Sequence, residues 1–219
     1  MNSIAVKSNE GKADVLSVAA EFIGRIDEIF GLYLDATQGF NCNLWRLNHG
    51  HEEAKKKGIF VDTRDEAQFF FGEGDPNDPK NVLLHTTTLG EYKRRNSQQG
   101  SNQTLLGQYF VVLVFHLWDG EYRMRLANAL GLPDQNALKL PICGDLRRLR
   151  NEILKHRSVI TKETQTKLEV LNYIPADQPL DLSSNDIEGI LSSLKKAVDD
   201  LAATHTGVDP KHRTIWHVR

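Results

Sequence analysis

The stretch that decides the fold is LLGQYFVVLVFHLWDGEYRMRLANALG, residues 105–131. Its valines would also suit a strand, but the polar continuation has helical spacing and stops at Gly131. A run of this length favours a helix, which we expect over residues 105–129. Because the segment Tyr109–Trp118 is apolar all round, we expect this part of the helix to be buried on most sides.

Another long helix is expected upstream, with Asp14 as its N-cap and its end near Gly39. The polar residues 1–12 that precede it are expected to be frayed. Between this helix and the next, residues 40–100 carry mixed signals, and both short strands and short helices remain open there. The apolar side chains of the upstream helix recur at steps of four and three, as on one helical face, at Val15, Ala19, Phe22, Ile26, Ile29 and Tyr33.

Downstream of the central helix, two prolines interrupt the connection LPDQNALKLPICG, residues 132–144. Asp145 follows and is the expected N-cap of a helix from Leu146 to Ser158. Helical spacing predicts that this helix turns three apolar side chains inward, namely Leu146, Leu149 and Ile153.

A last helix is expected from Asn185 to Ala203, followed by a polar and mobile tail at residues 204–219. With 219 residues, the chain has the usual size of one domain. We therefore predict a single all-α domain over residues 1–219, a helical bundle with an irregular insert at residues 40–100 between the first and second long helices.

Composition narrows the function classes. The net charge of −2 provides no overall basic field, which argues against a general binder of duplex DNA and requires any nucleic-acid contact to use a local patch. The two cysteines are too few for a disulfide framework or a cysteine zinc site. No signal peptide is recognised, and the longest apolar run is about ten residues, whereas a membrane span needs roughly 20. A cytoplasmic protein without membrane contact is expected.

The local basic patch is GDLRRLRNEILKHRSV, residues 144–159, in which cations share one helix with inward-facing leucines. Taken alone, such a helix is usually a solvated surface. Within it, Arg150 and Asn151 followed by His156 resemble the R-x(4-6)-H motif of HEPN domains (higher eukaryotes and prokaryotes nucleotide-binding). Two flanking blocks are also similar to prokaryotic HEPN families, WDGEYRMRLA at 118–127 and GDLRRLRNE at 144–152.

The resemblance covers residues 102–203 and implies an up-and-down helical bundle that acts on RNA. It implies a metal-independent endoribonuclease without a cofactor, a hydrolase of toxin-antitoxin systems or antiviral defence. In that reaction a ribose 2′-hydroxyl is the nucleophile, and the protein supplies proton transfer and charge neutralisation. The alternative is a non-catalytic RNA- or protein-binding HEPN module, for example a toxin-antitoxin partner or a regulatory protein.

Three residues are the candidate catalytic groups. His156 suits proton transfer because imidazole titrates near neutrality. Arg150 suits phosphate binding because its guanidinium is planar and always charged, and Asn151 can orient the substrate or the imidazole. Glu152 stands four residues before His156 and could hold its ring. The candidate substrate-binding residues are Arg147, Lys155, Arg157 and Glu152, together with Glu121 and Arg123, which are included by resemblance.

Helical geometry separates the two main candidates. Six residues correspond to about 600° of rotation and about 9 Å of rise, so Arg150 and His156 lie about 120° apart around the helix. Either an extended Arg150 side chain or a two-fold partner that brings a second copy of the helix alongside would let the two groups converge on one phosphate. We therefore predict a homodimer with a shared cleft, with a cognate antitoxin as a further candidate partner. His116, inside the apolar run, is expected to be a core histidine.

Overall fold

The computed structural model describes residues 9–75 and 78–208, most of which are helical. The sequence predictions for residues 1–8 and 209–219 lie outside this part of the chain. A predominantly helical chain is confirmed, with a two-stranded sheet in addition. The elements, in chain order, are α1 (Asn9–Lys56), β1 (Gln68–Gly72), β2 (Leu83–Thr88), α2 (Leu89–Asn96), α3 (Ser101–Leu117), a π-helical turn (Trp118–Tyr122), α4 (Arg123–Ala129), a 3₁₀ turn (Gln135–Ala137), α5 (Pro141–Lys155), α6 (Lys162–Gln165) and α7 (Ser184–Thr206).

The described residues form two compact units. The first contains residues 9–33 and 107–208, and the second contains residues 34–75 and 78–106. Within the first unit, Phe22 of α1 stacks on Tyr122 of the π-helical turn with ring centroids 4.9 Å apart. The core of this unit is drawn from α1, α3, α4, α5 and α7 and includes the fully buried Phe22, Ile26, Val111, Val114, Leu126, Leu146, Leu149, Ile190 and Leu194.

Helix α1 is longer than the sequence predicts, because it continues past Gly39 to Lys56. A glycine inside a helix costs only about 1 kcal/mol relative to alanine, which does not end a helix whose neighbours favour it. The actual end is at Gly58, which has a φ of 69°. There the amide of Ile59 donates to the carbonyl of Ala54 at 2.9 Å, which completes a glycine C-cap.

The central helix is confirmed over residues 105–129, with a π-helical turn at Trp118–Tyr122 in its middle. Its apolar half is buried on most sides, as predicted, but one stripe faces outward, where Tyr109 is 61% exposed and Leu113 is 43% exposed. His116 is exposed as well and is not a core histidine. Among the described residues of the first unit, no element covers this side of the helix.

The second unit contains the segment that the sequence leaves open between strands and helices, and both are present there. Strands β1 and β2 pair antiparallel, with Phe69 opposite Thr87. The ring of Phe69 stacks on Tyr92 of α2 at 4.3 Å between centroids, so the helix covers one face of the hairpin. No helix within the described ranges is long and apolar enough to cross a bilayer.

Helix α5 begins at Pro141, several residues before the predicted start at Leu146. Proline is favoured in the first turn of a helix, where its missing N–H is not needed. Asp145 is therefore inside the helix and is not its N-cap. Of the three predicted inward positions, Leu146 and Leu149 are fully buried, whereas Ile153 is only half-buried.

Asp145 is fully buried and joins α5 to a distant loop. Its carboxylate accepts hydrogen bonds from the backbone amides of Glu169, Val170 and Leu171, at distances of 2.7–3.0 Å. It also accepts one from Nη1 of Arg148 at 3.3 Å. This single side chain thus fixes the loop that follows α6.

Glu21 of α1 gives the first unit a pH-dependent contribution to stability. Its carboxylate accepts from the Tyr122 hydroxyl at 3.0 Å and from both terminal nitrogens of Arg125 at 2.8 and 2.5 Å. Because Arg125 and Tyr122 stabilise the charged form, the pKa of Glu21 is lowered from 4.5 to about 2.

We expect Glu21→Gln to reduce the acid sensitivity of folding. A lowered pKa in the folded state contributes stability that is present above about pH 4.5 and is lost as the pH falls towards 2. Since the side chain is half exposed, the contribution is about 1 kcal/mol at most. Urea unfolding over this pH range should show a shallower decline for Glu21→Gln than for wild type. Glu188 provides the control, because it is exposed and has no ion-pair partner within the described ranges. A Glu188→Gln variant with the same shallow decline would contradict the assignment.

Candidate functional site

The basic segment of α5 borders a cleft of about 710 Å³, which we call the α5 cleft. Its second wall is formed by the segment from Thr161 to Lys167, which contains α6. All of it belongs to the first unit. The α5 side of the cleft is formed by Arg147, Arg148, Asn151, Glu152, Lys155 and His156.

Helical spacing explains why these side chains face the same cleft. Arg147, Asn151 and Lys155 follow one another at intervals of four residues, which is about 40° of drift per step. They therefore form one stripe along the helix. The sequence-based prediction that Arg147, Asn151 and Lys155 share a basic site with His156 agrees with this placement.

The α5 cleft carries uncompensated positive charge. Arg148 is paired with Asp145 at 3.3 Å, and Lys167 is paired with Glu163 at 2.5 Å. In contrast, Arg147 and Lys155 are exposed and have no ion-pair partner among the described residues. These two cations are therefore free to contact an anion.

His156 ends α5 and projects from the end of the stripe. Its φ of −121° departs from helical geometry, while its backbone amide still donates to the Glu152 carbonyl at 3.0 Å. The imidazole is exposed, and no described residue forms a hydrogen bond with it. The following residues, Arg157 and Ser158, have φ values of 54° and 62°, so the chain turns away directly after the histidine. Arg157 is exposed and does not line the cleft.

The sequence suggested that Glu152 could hold the imidazole of His156. In the structure Glu152 binds other residues instead. Its Oε1 accepts from the hydroxyl of Thr161 at 2.9 Å and from the hydroxyl of Thr164. The side chain is 97% buried, because position 152 falls on the inner edge of the stripe and is covered by the segment containing α6. Its Oε2 has no hydrogen-bond partner among the described residues. Glu152 thus joins the two walls of the α5 cleft.

Arg150 lies outside the α5 cleft. It is about 100° from Asn151 around the helix axis, on the side away from the cleft. Its Nη1 donates to Oδ1 of Asn151 at 3.2 Å, so the arginine contacts a residue of the cleft without lining the cleft itself. Arg150 and His156 therefore do not line the same cleft.

The two candidates from the preceding helix do not reach the α5 cleft either. Glu121 accepts from Nη1 of Arg125 at 2.7 Å. Arg123 donates to the Leu138 carbonyl at 3.2 Å and to Asp119 at 3.3 Å, and it lines a different cavity. Their predicted place in the cleft is therefore wrong.

Sequence reasoning missed the residues that build the second wall. Thr161 caps α6 by accepting from the Thr164 amide at 3.2 Å, and the same two threonines bind Glu152. The pattern of Thr, two residues and Thr after a basic helix indicates a cap, but nothing in it indicates a buried carboxylate as the partner.

Comparisons of the chain with protein-family models, curated proteins and solved structures find no match in any of the three. The function must therefore be inferred from the residues and from the chemistry of the cleft. The central fact is an exposed histidine beside two unpaired cations on one wall of an open groove.

Proposed function

We propose that this protein is a metal-independent endoribonuclease of HEPN type, with its active centre in the α5 cleft. The observation that carries the proposal is the shared cleft of His156, Arg147 and Lys155, in which the imidazole is exposed and both cations lack an acidic partner. The helices of the first unit are then the HEPN-like bundle that presents this helix.

The reaction needs no group beyond the RNA and these side chains. The ribose 2′-oxygen attacks the adjacent phosphorus, the bond to the 5′-oxygen of the next nucleotide breaks, and a 2′,3′-cyclic phosphate is left. The 2′-hydroxyl proton must be accepted and the leaving 5′-oxygen must be protonated, and imidazole can do either. Arg147 and Lys155 neutralise the developing charge on the phosphate. Asn151 orients the phosphate or the ribose through its amide.

The cleft geometry changes one assignment that the resemblance implies. Arg150 does not line the cleft of His156, whereas Arg147 and Arg148 do, and of these two only Arg147 lacks an ion-pair partner among the described residues. Arg150 acts as a positioning residue, because its contact is with the Asn151 side chain.

A homodimer completes the proposal, since one chain places a single described histidine in the cleft and the reaction moves two protons. The His156 of a second copy would supply the other proton-transfer group. We place the protein in the cytoplasm as a toxin or defence effector that a cognate antitoxin holds inactive. A mass measurement that finds a monomer fully competent in RNA cleavage would contradict the shared centre.

A second candidate function is RNA binding without cleavage. The position of Arg150 favours it, because the arginine of the motif does not line the cleft that contains the histidine. Charge alone would then hold the RNA, and the imidazole would be dispensable.

Incubation with single-stranded RNA in excess chelator distinguishes the two functions. The proposed enzyme leaves fragments that end in a 2′,3′-cyclic phosphate and does not cut DNA of the same sequence, which has no 2′-hydroxyl. Tight binding with intact RNA would favour the second candidate. Absence of both binding and cleavage would contradict both.

Charge removal separates the cleft residues from Arg150. We expect Arg147→Ala and Lys155→Ala each to weaken binding of single-stranded RNA about fivefold. Each should also reduce the slope of log binding constant against log salt concentration by about one, because one phosphate contact is lost. Arg150→Ala should change binding by less than about twofold, because it does not line the cleft. Anisotropy titrations at several salt concentrations measure both quantities. A larger loss for Arg150→Ala than for Arg147→Ala would show that the RNA lies elsewhere.

A further inference from the structure

A second cavity, of about 430 Å³, continues the α5 cleft towards the start of α5. It lies between the π-helical turn, the connection around Leu138–Leu140 and the first half of α5, all within the first unit. Arg147 and Arg148 line both spaces, so the two adjoin along the helix, and we refer to the pair together as the groove. We call this second space the upper cavity.

The walls of the upper cavity are fixed by bonds within the protein. Arg123 bridges the Leu138 carbonyl and the Asp119 carboxylate, which ties the connection to the π-helical turn. Asp145 holds the loop that carries Glu169 through the backbone amide of that residue, at 3.0 Å. The cavity is thus preformed, and its volume falls within the range of ligand pockets, about 300–1,000 Å³.

The upper cavity offers two kinds of surface to one ligand. One side is apolar and includes Phe115, Trp118 and Leu140, which are buried and rigid. The rim carries Lys139 and Arg147, both exposed and without an ion-pair partner among the described residues. An apolar wall beside free cations suits a flat ring that carries a phosphate.

Glu169 also lines the upper cavity and is the one acidic group of its lining that lacks an ion-pair partner among the described residues. Its carboxylate would repel a bare anion but can accept a hydrogen bond from a ribose hydroxyl or from the amino group of a base. A nucleotide satisfies all three features, whereas inorganic phosphate or a purely apolar molecule satisfies only one.

The spacing along α5 relates the upper cavity to the proposed active centre. Arg147 and Lys155 are eight residues apart, which is about 12 Å along the helix. A strand whose phosphate lies beside Lys155 and His156 would therefore reach the upper cavity with a neighbouring nucleotide. We propose that the upper cavity binds a second nucleotide of the same single-stranded RNA and so determines which stretch of RNA is cut. This inference rests on the proposed function.

The test compares two RNA lengths in wild type and Lys139→Ala. Lys139 is exposed, so the variant should fold and unfold like wild type. Binding and cleavage of a short single-stranded oligonucleotide, which fills the whole groove, should fall about fivefold. Cleavage of a dinucleotide, which fills only the α5 cleft, should be unchanged. The control is Lys196→Ala on α7, an exposed lysine that lines neither space, and it should match wild type on both substrates.

Three outcomes would overturn the inference. If wild type binds the oligonucleotide and Lys139→Ala binds it equally well, the upper cavity is not a subsite, while the proposed function stands. If Lys139→Ala weakens both lengths by the same factor, the lysine acts through general charge and the subsite is also wrong. If wild type neither binds nor cuts either RNA, the proposed function fails and the inference fails with it.

Discussion

His156→Ala is expected to lower the rate of RNA cleavage about 10²–10⁴-fold, the usual contribution of one positioned proton-transfer group. Binding of RNA should change little, because Arg147 and Lys155 remain in the α5 cleft. The free energy of unfolding should also stay nearly constant, since the imidazole is exposed and no described residue bonds to it. The measurement is single-turnover cleavage in chelator, with chemical denaturation as the check on folding.

His116→Ala is the matched control for this experiment. His116 is an exposed histidine of the same unit, on α3, and it lines neither the α5 cleft nor the upper cavity. The His116→Ala variant should cleave RNA at the wild-type rate. Undiminished cleavage by His156→Ala would remove the histidine from the mechanism, and equal losses in both variants would indicate that neither loss reports on the cleft.

Asp145→Ala is expected to destabilise the folded chain by about 3–5 kcal/mol, the cost of breaking a buried charged contact from one side. The change leaves three backbone amides, at residues 169–171, without their acceptor. It also leaves the Arg148 guanidinium without its carboxylate. Urea unfolding at neutral pH measures the loss as a lower midpoint.

Two further variants give this prediction its controls. Asp27→Ala removes an aspartate from a half-buried ion pair with Lys195, and because solvent still reaches both side chains we expect a cost of about 1 kcal/mol. Asp145→Asn keeps one acceptor oxygen and should fall between wild type and Asp145→Ala. A loss for Asp145→Ala no larger than that of Asp27→Ala would mean that the loop finds other acceptors.

The helices could be predicted from the sequence because their information is local. The stripe from Val15 to Ile26 fixes the inner face of α1, and α7 begins at Ser184, one residue before the predicted start at Asn185. The position of Arg150 relative to His156 also followed from helical rotation alone. This rotation predicts that the two groups do not share one stripe of the helix, and only His156 lines the α5 cleft.

Contacts between distant parts of the chain could not be predicted in this way. An aspartate before an apolar run looks the same whether it caps a helix or is buried inside it, and the amides that decide the case for Asp145 come from residues 169–171. Glu152 is similar, because its partners Thr161 and Thr164 belong to another element. Strands β1 and β2 are short and meet across a loop, so neither carries a clear signal by itself.

The π-helical turn at Trp118–Tyr122 affects how this chain should be aligned with any relative. Its defining bond runs from the Arg123 amide back to the Trp118 carbonyl, so the turn contains one residue more than an α-helical turn. Everything after it is rotated by about 100° relative to an unbroken helix. That rotation directs Arg123 to the upper cavity and Arg125 to Glu21. A relative that lacks one residue near Gly120 would keep the helix but lose both contacts. A one-residue gap at this place in an alignment would therefore mark a change in the site, even where all residues of the sequence motif are identical.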